Sequence, residues 1–246
     1  MKAGKHVYVE KPFASSVDEA EELTKLAAEK GLVIHVDHIM LYHPCIRKIR
    51  ELVVSGELGD FLYIEAMRMN LGQIKKDVGA MADLAVHDLS IIDYLSGGKE
   101  PFYVKAVGEK KYSPKESLTF LMLRYHEFIA HIQSSWISPL KERKLIVAGT
   151  KKMVVFDDMK PPTEKLTIYD KGLDVIAGSD VEYEDYAVKM RVGDIWIPYI
   201  PEQDALFNSI DHFAACVETG KPSTSGPEQA IRMLKILERA EQTMNA

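Results

Sequence analysis

Between Phe102 and Tyr199 the sequence is a succession of short apolar and β-branched runs, and this stretch restricts the fold more than any other. The runs cover residues 103–111, 117–125, 128–137, 143–149, 152–156, 165–170 and 194–199. Several alternate apolar with polar side chains, the period of a strand that turns one face to a core. Their connections are short enough for hairpins, which join antiparallel neighbours. Such a sheet needs helices over one face, and the sequence offers them on both sides of the strand-rich region. The expected class is α+β: a mainly antiparallel open sheet with helices on one face.

The chain opens in another manner. Val7 to Val9 is a β-prone run. Ser15 and Ser16, followed by Asp18 and Glu19, give a helix N-cap with an acidic first turn, and Ala20, Leu23, Leu26 and Ala27 repeat at helical spacing. Gly31 ends that helix and Leu32 to Val36 is a second apolar run, so residues 6–37 read as a strand–helix–strand unit of parallel, right-handed type. One such unit is part of a doubly wound sheet. A second helix starts near Pro44 with Ile46, Ile49, Leu52 and Val53 on one face, and Phe61 to Leu71 reads as a strand. A helix is expected over Val78 to Leu95, ending at Gly97-Gly98, and two more over Gln203 to Thr219 and Pro227 to Met244.

With 246 residues, 46% of them hydrophobic, the chain has the composition of an ordinary globular protein. Its formal net charge of −6 argues against a general binder of nucleic acid or anionic membrane, since such proteins meet phosphates with a cationic surplus. The first apolar run is too short for a signal peptide or a membrane span. Cys45 and Cys216 lie far apart, which disfavours a disulfide framework and suits a reducing cytoplasm.

Three groups of residues carry possible chemistry. Lys11, in Glu10-Lys11-Pro12, follows a strand directly, and ligands of doubly wound sheets bind outside the carboxyl ends of the strands; a solvated lysine before a loop proline is the other reading. Asp83 and His87 stand four apart in a helix, so the carboxylate can orient the ring as in a general base; an exposed ion pair is the alternative. Asp88 and Asp93 point elsewhere on the same helix. In His35-Val36-Asp37-His38, the first and third residues share a strand face while His38 faces away. No three ligands converge there, so no metal site is expected, and His38 is placed at the cleft beyond the strand.

Together these segments resemble the Gfo/Idh/MocA oxidoreductases. Gly4 to Pro12 is similar to the strand and EKP motif that ends the family's cofactor domain, and Asp83 to Leu89 is similar to its D-x-x-x-H helix. The resemblance implies residues 1–40 as a remnant of a dinucleotide-binding Rossmann domain and 41–246 as a substrate-binding and oligomerisation domain. It implies a dehydrogenase that uses NAD or NADP, with Lys11, Asp83 and His87 catalytic and with Glu10, Lys11, Pro12 and His38 toward the cofactor. Trp136 to Leu145 and Gly193 to Tyr199 look like a branch acting on UDP-N-acetylhexosamines. Tyr42, His43, Arg68, Lys141 and Arg143 are then the expected substrate contacts, the last two suited to a diphosphate, although a solvated charged turn reads equally well. The partner implied is a second copy of the chain, as a homodimer or homotetramer built on the open sheet, with Val147, Val155, Leu166 and Ile168 marking the face.

The sequence also departs from that pattern. It contains no Gly-x-Gly-x-x-Gly turn and no acidic ribose-binding residue, so the chain is expected to be incomplete and to bind dinucleotide weakly. Leu41 and His43 stand where many members carry arginine and asparagine, and Ala82 where an aromatic often precedes the aspartate. A non-catalytic dimeric binding or assembly module of the same fold, and a histidine-based metallohydrolase, are the competing expectations.

Overall fold

The computed structural model describes residues 1–175 and 188–244. Strand β1 (Val7–Val9), helix α1 (Val17–Glu29) and strand β2 (Ile34–Val36) form the opening unit, with β1 and β2 parallel in the register Val7 to Ile34. Ser16 caps α1 through its side chain, which accepts from Glu19 N–H. The Glu19 carboxylate in turn accepts from Ser15 N–H at 2.9 Å, so two free amides at the helix start are satisfied.

A 3-10 turn (Ile39–Tyr42) leads into α2 (Pro44–Val54), then β3 (Phe61–Leu71), a π-helical turn (Met81–Ala85) and α3 (Val86–Ser96). Strands β4 (Tyr103–Glu109), β5 (Leu118–Arg124), β6 (Ile129–Ser135), β7 (Ile137–Gly149), β8 (Met153–Asp157), β9 (Leu166–Val175) and β10 (Val188–Trp196) follow. Helices α4 (Ala205–Thr219) and α5 (Pro227–Met244) close the described chain. Among the described residues the large sheet has eight strands in the order β10-β9-β8-β7-β3-β6-β5-β4, antiparallel throughout except where β3 lies parallel to β6. Among the described residues no helix is long and apolar enough to cross a membrane.

One sheet face is covered. Ile64, Ala66, Leu121, Ile132, Leu145, Val147, Val154 and Ile168 pack there against Ile46 and Ile49 of α2, Leu89 and Ile92 of α3, and Met233 and Ile236 of α5. A smaller core of Phe13, Ala20, Ala27, Ile34 and Val36 closes on Ala230 of the same α5. Helix α5 therefore joins the opening unit to the sheet. It is also tied to α3, since Arg232 and Gln229 both donate to the buried Asp93.

The opposite sheet face is open and carries Tyr63, Tyr103, Val107, Phe120, Met122 and Ile129, all exposed. Of the residues expected to mark this face, Val147, Leu166 and Ile168 instead lie buried under the helices, and only Val155 belongs to the outward set. The period of two explains the correction, because neighbouring strand residues point to opposite faces and an apolar side chain does not say which face it occupies.

Candidate active site

The end of β1 meets the start of the α3 segment. Lys11 Nζ donates to the Asp83 carbonyl oxygen at 2.9 Å and to Asp83 Oδ1 at 3.0 Å, across 72 residues of sequence. An ammonium has three N–H donors, so one remains for a third partner.

A clamp at the π-turn sets the position of Asp83. The amide of Ala80 donates to the Glu116 carbonyl at 2.9 Å, and that of Met81 to Glu116 Oε1 at 3.2 Å. Glu116 is 7% exposed, and a Cβ added at Gly79 would overlap its carboxylate, so a side chain at 79 would displace the group that holds the Met81 amide. π-turns recur at functional sites, and this one projects Asp83 towards Lys11.

His87 lies one turn further on, and its Nδ1 is buried without a hydrogen-bond partner among the described residues. Burial first, then the charges of Arg68, Lys11 and His38, push its pKa down to about 3, against the opposing pull of Asp83. The expected bond from Asp83 to the ring is not formed. Asp83 Oδ1 is taken by Lys11, and Oδ2 by Lys75 at 3.0 Å. Two charge-assisted bonds outcompete an uncharged imidazole for the same carboxylate. Burial would raise the Asp83 carboxyl, but the hydrogen bonds from Lys11 and Lys75 outweigh it and hold the group below its ordinary range.

A cleft of about 560 Å³ opens beside the pair. It is walled by Lys11 to Ser15, His38, Lys75, Asp77, Val78, Ala82, Asp83, Val86 and side chains of α5. His38, at the carboxyl end of β2, is 2% exposed with both ring nitrogens unpartnered among the described residues, and burial with the nearby Lys11 charge lowers its pKa to about 4. Pro12 lines the cleft, Glu10 is exposed and does not, and Val86 rather than His87 faces it. His87 belongs to the neighbouring side of the helix, toward Arg68.

The expected substrate contacts separate. Tyr42 is 1% exposed, packed against His35 and His212, and the structure does not bring it to the cleft. His43 caps α2 by accepting from Cys45 N–H, with Nε2 3.8 Å from Asp158. Arg68 is buried and makes a two-bond pair with Asp88, Nε to Oδ2 at 3.0 Å and Nη2 to Oδ1 at 2.9 Å. Arg143 is paired in register with Arg68 and reaches Asp158 at 3.6 Å, while Lys141 is exposed further along β7.

Asp158 also accepts from Lys165 at 2.7 Å, so it gathers three cationic or protonatable groups. Neither it nor Lys165, Lys75 or Glu116 is signalled in the sequence, because each gains its role from a partner that chain spacing does not bring near. His35 and Asp37 are committed to structure: Ser209 Oγ lies 2.9 Å from His35 Nε2 and donates to Asp37 at 3.1 Å, and Ser223 Oγ lies 2.9 Å from His35 Nδ1.

Comparison with known proteins agrees with this architecture. The chain is 27% identical over 224 residues to a UDP-N-acetylglucosamine 3-dehydrogenase of Acidithiobacillus ferrooxidans, covering 90% of this chain and 66% of that protein. It is 26% identical over 170 residues to a trans-1,2-dihydrobenzene-1,2-diol dehydrogenase of Bos taurus, covering 66% and 51%. The chain thus matches between about half and two thirds of the length of these relatives. Among solved structures, an oxidoreductase of Magnetospirillum magnetotacticum MS-1 superposes with a TM-score of 0.80 at 24% identity, over 97% of this chain and 73% of the other. The Acidithiobacillus ferrooxidans enzyme gives 0.79 at 24%, over 100% and 74%. At such identities the superpositions speak for the fold alone. Residues 1–38 match the oxidoreductase family with NAD-binding Rossmann fold, and residues 46–155 match the GFO/IDH/MocA C-terminal domain. With both halves of the pattern present in order, and with the fold to match, the chain belongs to the Gfo/Idh/MocA family of oxidoreductases.

Proposed function

We propose that this chain supplies the catalytic and substrate-holding part of a nicotinamide-dependent dehydrogenase acting on a sugar hydroxyl, with a UDP-N-acetylhexosamine oxidised at carbon 3 as the finer assignment. The observation that carries the reading is the contact of Lys11 with Asp83 at the carboxyl end of β1, one helical turn from an imidazole with a free Nδ1. The unpartnered nitrogens of His38 suit the polar edge of a nicotinamide at the cleft. A bound nicotinamide, of NAD or NADP, supplies the hydride acceptor.

The chain's own residues then divide the remaining work. His87 receives the hydroxyl proton as hydride leaves the same carbon, and returns it in the reverse direction. Lys11 donates its free N–H to the reacting oxygen and offsets the negative charge that develops there. Arg68, fixed by its pair with Asp88, stands near His87 and disfavours a second positive charge on the ring. Arg143 and Lys141 extend a cationic row along β7 that suits a diphosphate, and the Acidithiobacillus relative, a UDP-N-acetylglucosamine 3-dehydrogenase by name, supports that substrate class.

NAD(P)-coupled oxidation measured across UDP-N-acetylhexosamines, free aldoses and inositols tests the proposal. One class should turn over, and His87→Ala should lower kcat by roughly 10²–10⁴-fold. A protein that binds NADH yet oxidises none of these classes would remove the reading. The open sheet face is proposed as the interface of a homodimer or homotetramer, because its exposed aromatic and aliphatic side chains form a broad apolar surface. Sedimentation at micromolar concentration checks it, and a monomer sinks it.

A further inference from the structure

The proposed proton acceptor is held in an unfavourable state. A general base works best when its own pKa lies near the surrounding pH, yet burial and the charges of Arg68, Lys11 and His38 keep His87 at about 3. The group that opposes them is Asp83, and its carboxylate is occupied on both oxygens, Oδ1 by Lys11 and Oδ2 by Lys75, each at 3.0 Å. Lys11 belongs to the reacting centre. Lys75 comes from the segment between β3 and the π-turn, its side chain is 44% exposed, and the bond to Asp83 is its one hydrogen bond among the described residues.

Asp83 lies in the π-turn and His87 in the first turn of α3, four residues on, near enough for the carboxylate charge to act on the ring. We infer that Lys75 is a positioning residue that competes with His87 for Oδ2 of Asp83, so that withdrawing Lys75 hands the carboxylate to the imidazole and makes it a better proton acceptor. An exposed ammonium leaves such a pair at small cost, because water replaces the bond it gives up. An anionic group bound at the cleft rim, where Lys75 stands, is the chemistry that would draw it off. The charged and titratable groups that face this pair are Arg68 on β3, Lys11 after β1, His38 after β2, and Asp77, Glu238 and Glu241 around the cleft.

The inference rests on His87 as the proton acceptor, and its test is independent of turnover. In the whole chain, protonation of the His87 imidazole is followed by 15N NMR from pH 7.5 to the lowest pH at which each protein stays folded, and the midpoint is taken from that limb, in the parent, Lys75→Met, Lys76→Met and Lys75→Met/Asp83→Asn. Lys76 is the adjacent exposed lysine and controls for the loss of one charge from the same loop. Lys75→Met should raise the His87 midpoint by roughly one unit or more, Lys76→Met should leave it near the parent value, and Asp83→Asn should cancel the rise. Lys75→Arg, which retains a cationic donor, should restore the parent value. The inference is overturned by a Lys75→Met midpoint equal to the parent's, by an equal rise in Lys76→Met, or by a rise that survives Asp83→Asn. If the titrations behave as expected but no sugar oxidation is found, the competition stands and the assigned reaction falls.

Discussion

Arg68 illustrates how much a single residue's assignment depends on its partner. In the sequence it is a lone cation in a strand, and the family resemblance placed it at the substrate. In the structure its guanidinium is fixed by two bonds to Asp88, with side-chain exposures of 10% and 4%. Removing one member of such a pair leaves a buried charge with nothing to offset it, at a cost of about 3–5 kcal/mol. Arg68→Met should therefore lower unfolding free energy by about that amount in a denaturant titration, and Arg68→Met/Asp88→Leu should recover most of it. A stable Arg68→Met with only a raised KM would instead return Arg68 to the substrate. The meeting of Lys11 with Asp83 was expected from two short motifs taken together through the family resemblance, since neither motif alone tells a solvated group from an engaged one; His87 stands beside the pair but does not line the cleft. Lys75 and Glu116 were not legible, since a lysine in a polar loop and a glutamate between strands look the same whether solvated or engaged.

At the level of elements, most boundaries follow from local chemistry. Ser16 and Asp204 stop the chain at helix starts by accepting the first free amides, and Gly97 ends α3 with φ 75°, a left-handed conformation that side chains resist. The strand Phe61–Leu71 and the hairpins β4–β5 and β5–β6 were readable from period and spacing. Two features were not. The π-turn at Met81–Ala85 lies within an apolar pattern that fits an ordinary α-helix, and the clamp by Glu116 comes from a loop more than thirty residues away. The parallel pairing of β3 with β6 places the earlier strand in the middle of the sheet. Hairpin length governs neighbours in sequence and says nothing about where such a strand inserts. That insertion is what brings Arg68 beneath α3 and the site.

The whole molecule buries histidines in uncharged form, and this makes its stability depend on pH in a defined direction. Burial pushes His35 and His38 to about 4, and His87 to about 3, whereas an unfolded chain protonates its histidines near pH 6.5. Below that value the unfolded state takes up protons that the folded state refuses, so stability falls as pH drops and the loss continues until the folded values are reached. Each group changes stability by about 1.4 kcal/mol per pH unit within this window. At pH 5 the three together could remove about 6 kcal/mol, a large share of the 5–15 kcal/mol typical of a domain. The carboxyl of Asp83, held below its ordinary range, adds a further loss only at lower pH, where the unfolded carboxyl protonates first. The expected result is a denaturation midpoint that declines steeply between pH 7 and pH 5. His38→Leu isolates one contribution, because among the described residues both of its ring nitrogens lack partners and its replacement breaks no hydrogen bond. That variant should be at least as stable as the parent at pH 7 and should lose stability more slowly on acidification, by about 1.4 kcal/mol per unit. A parent whose midpoint is flat from pH 7 to 5.5, or a His38→Leu slope equal to the parent's, would mean that these imidazoles accept protons in the folded protein as readily as in water.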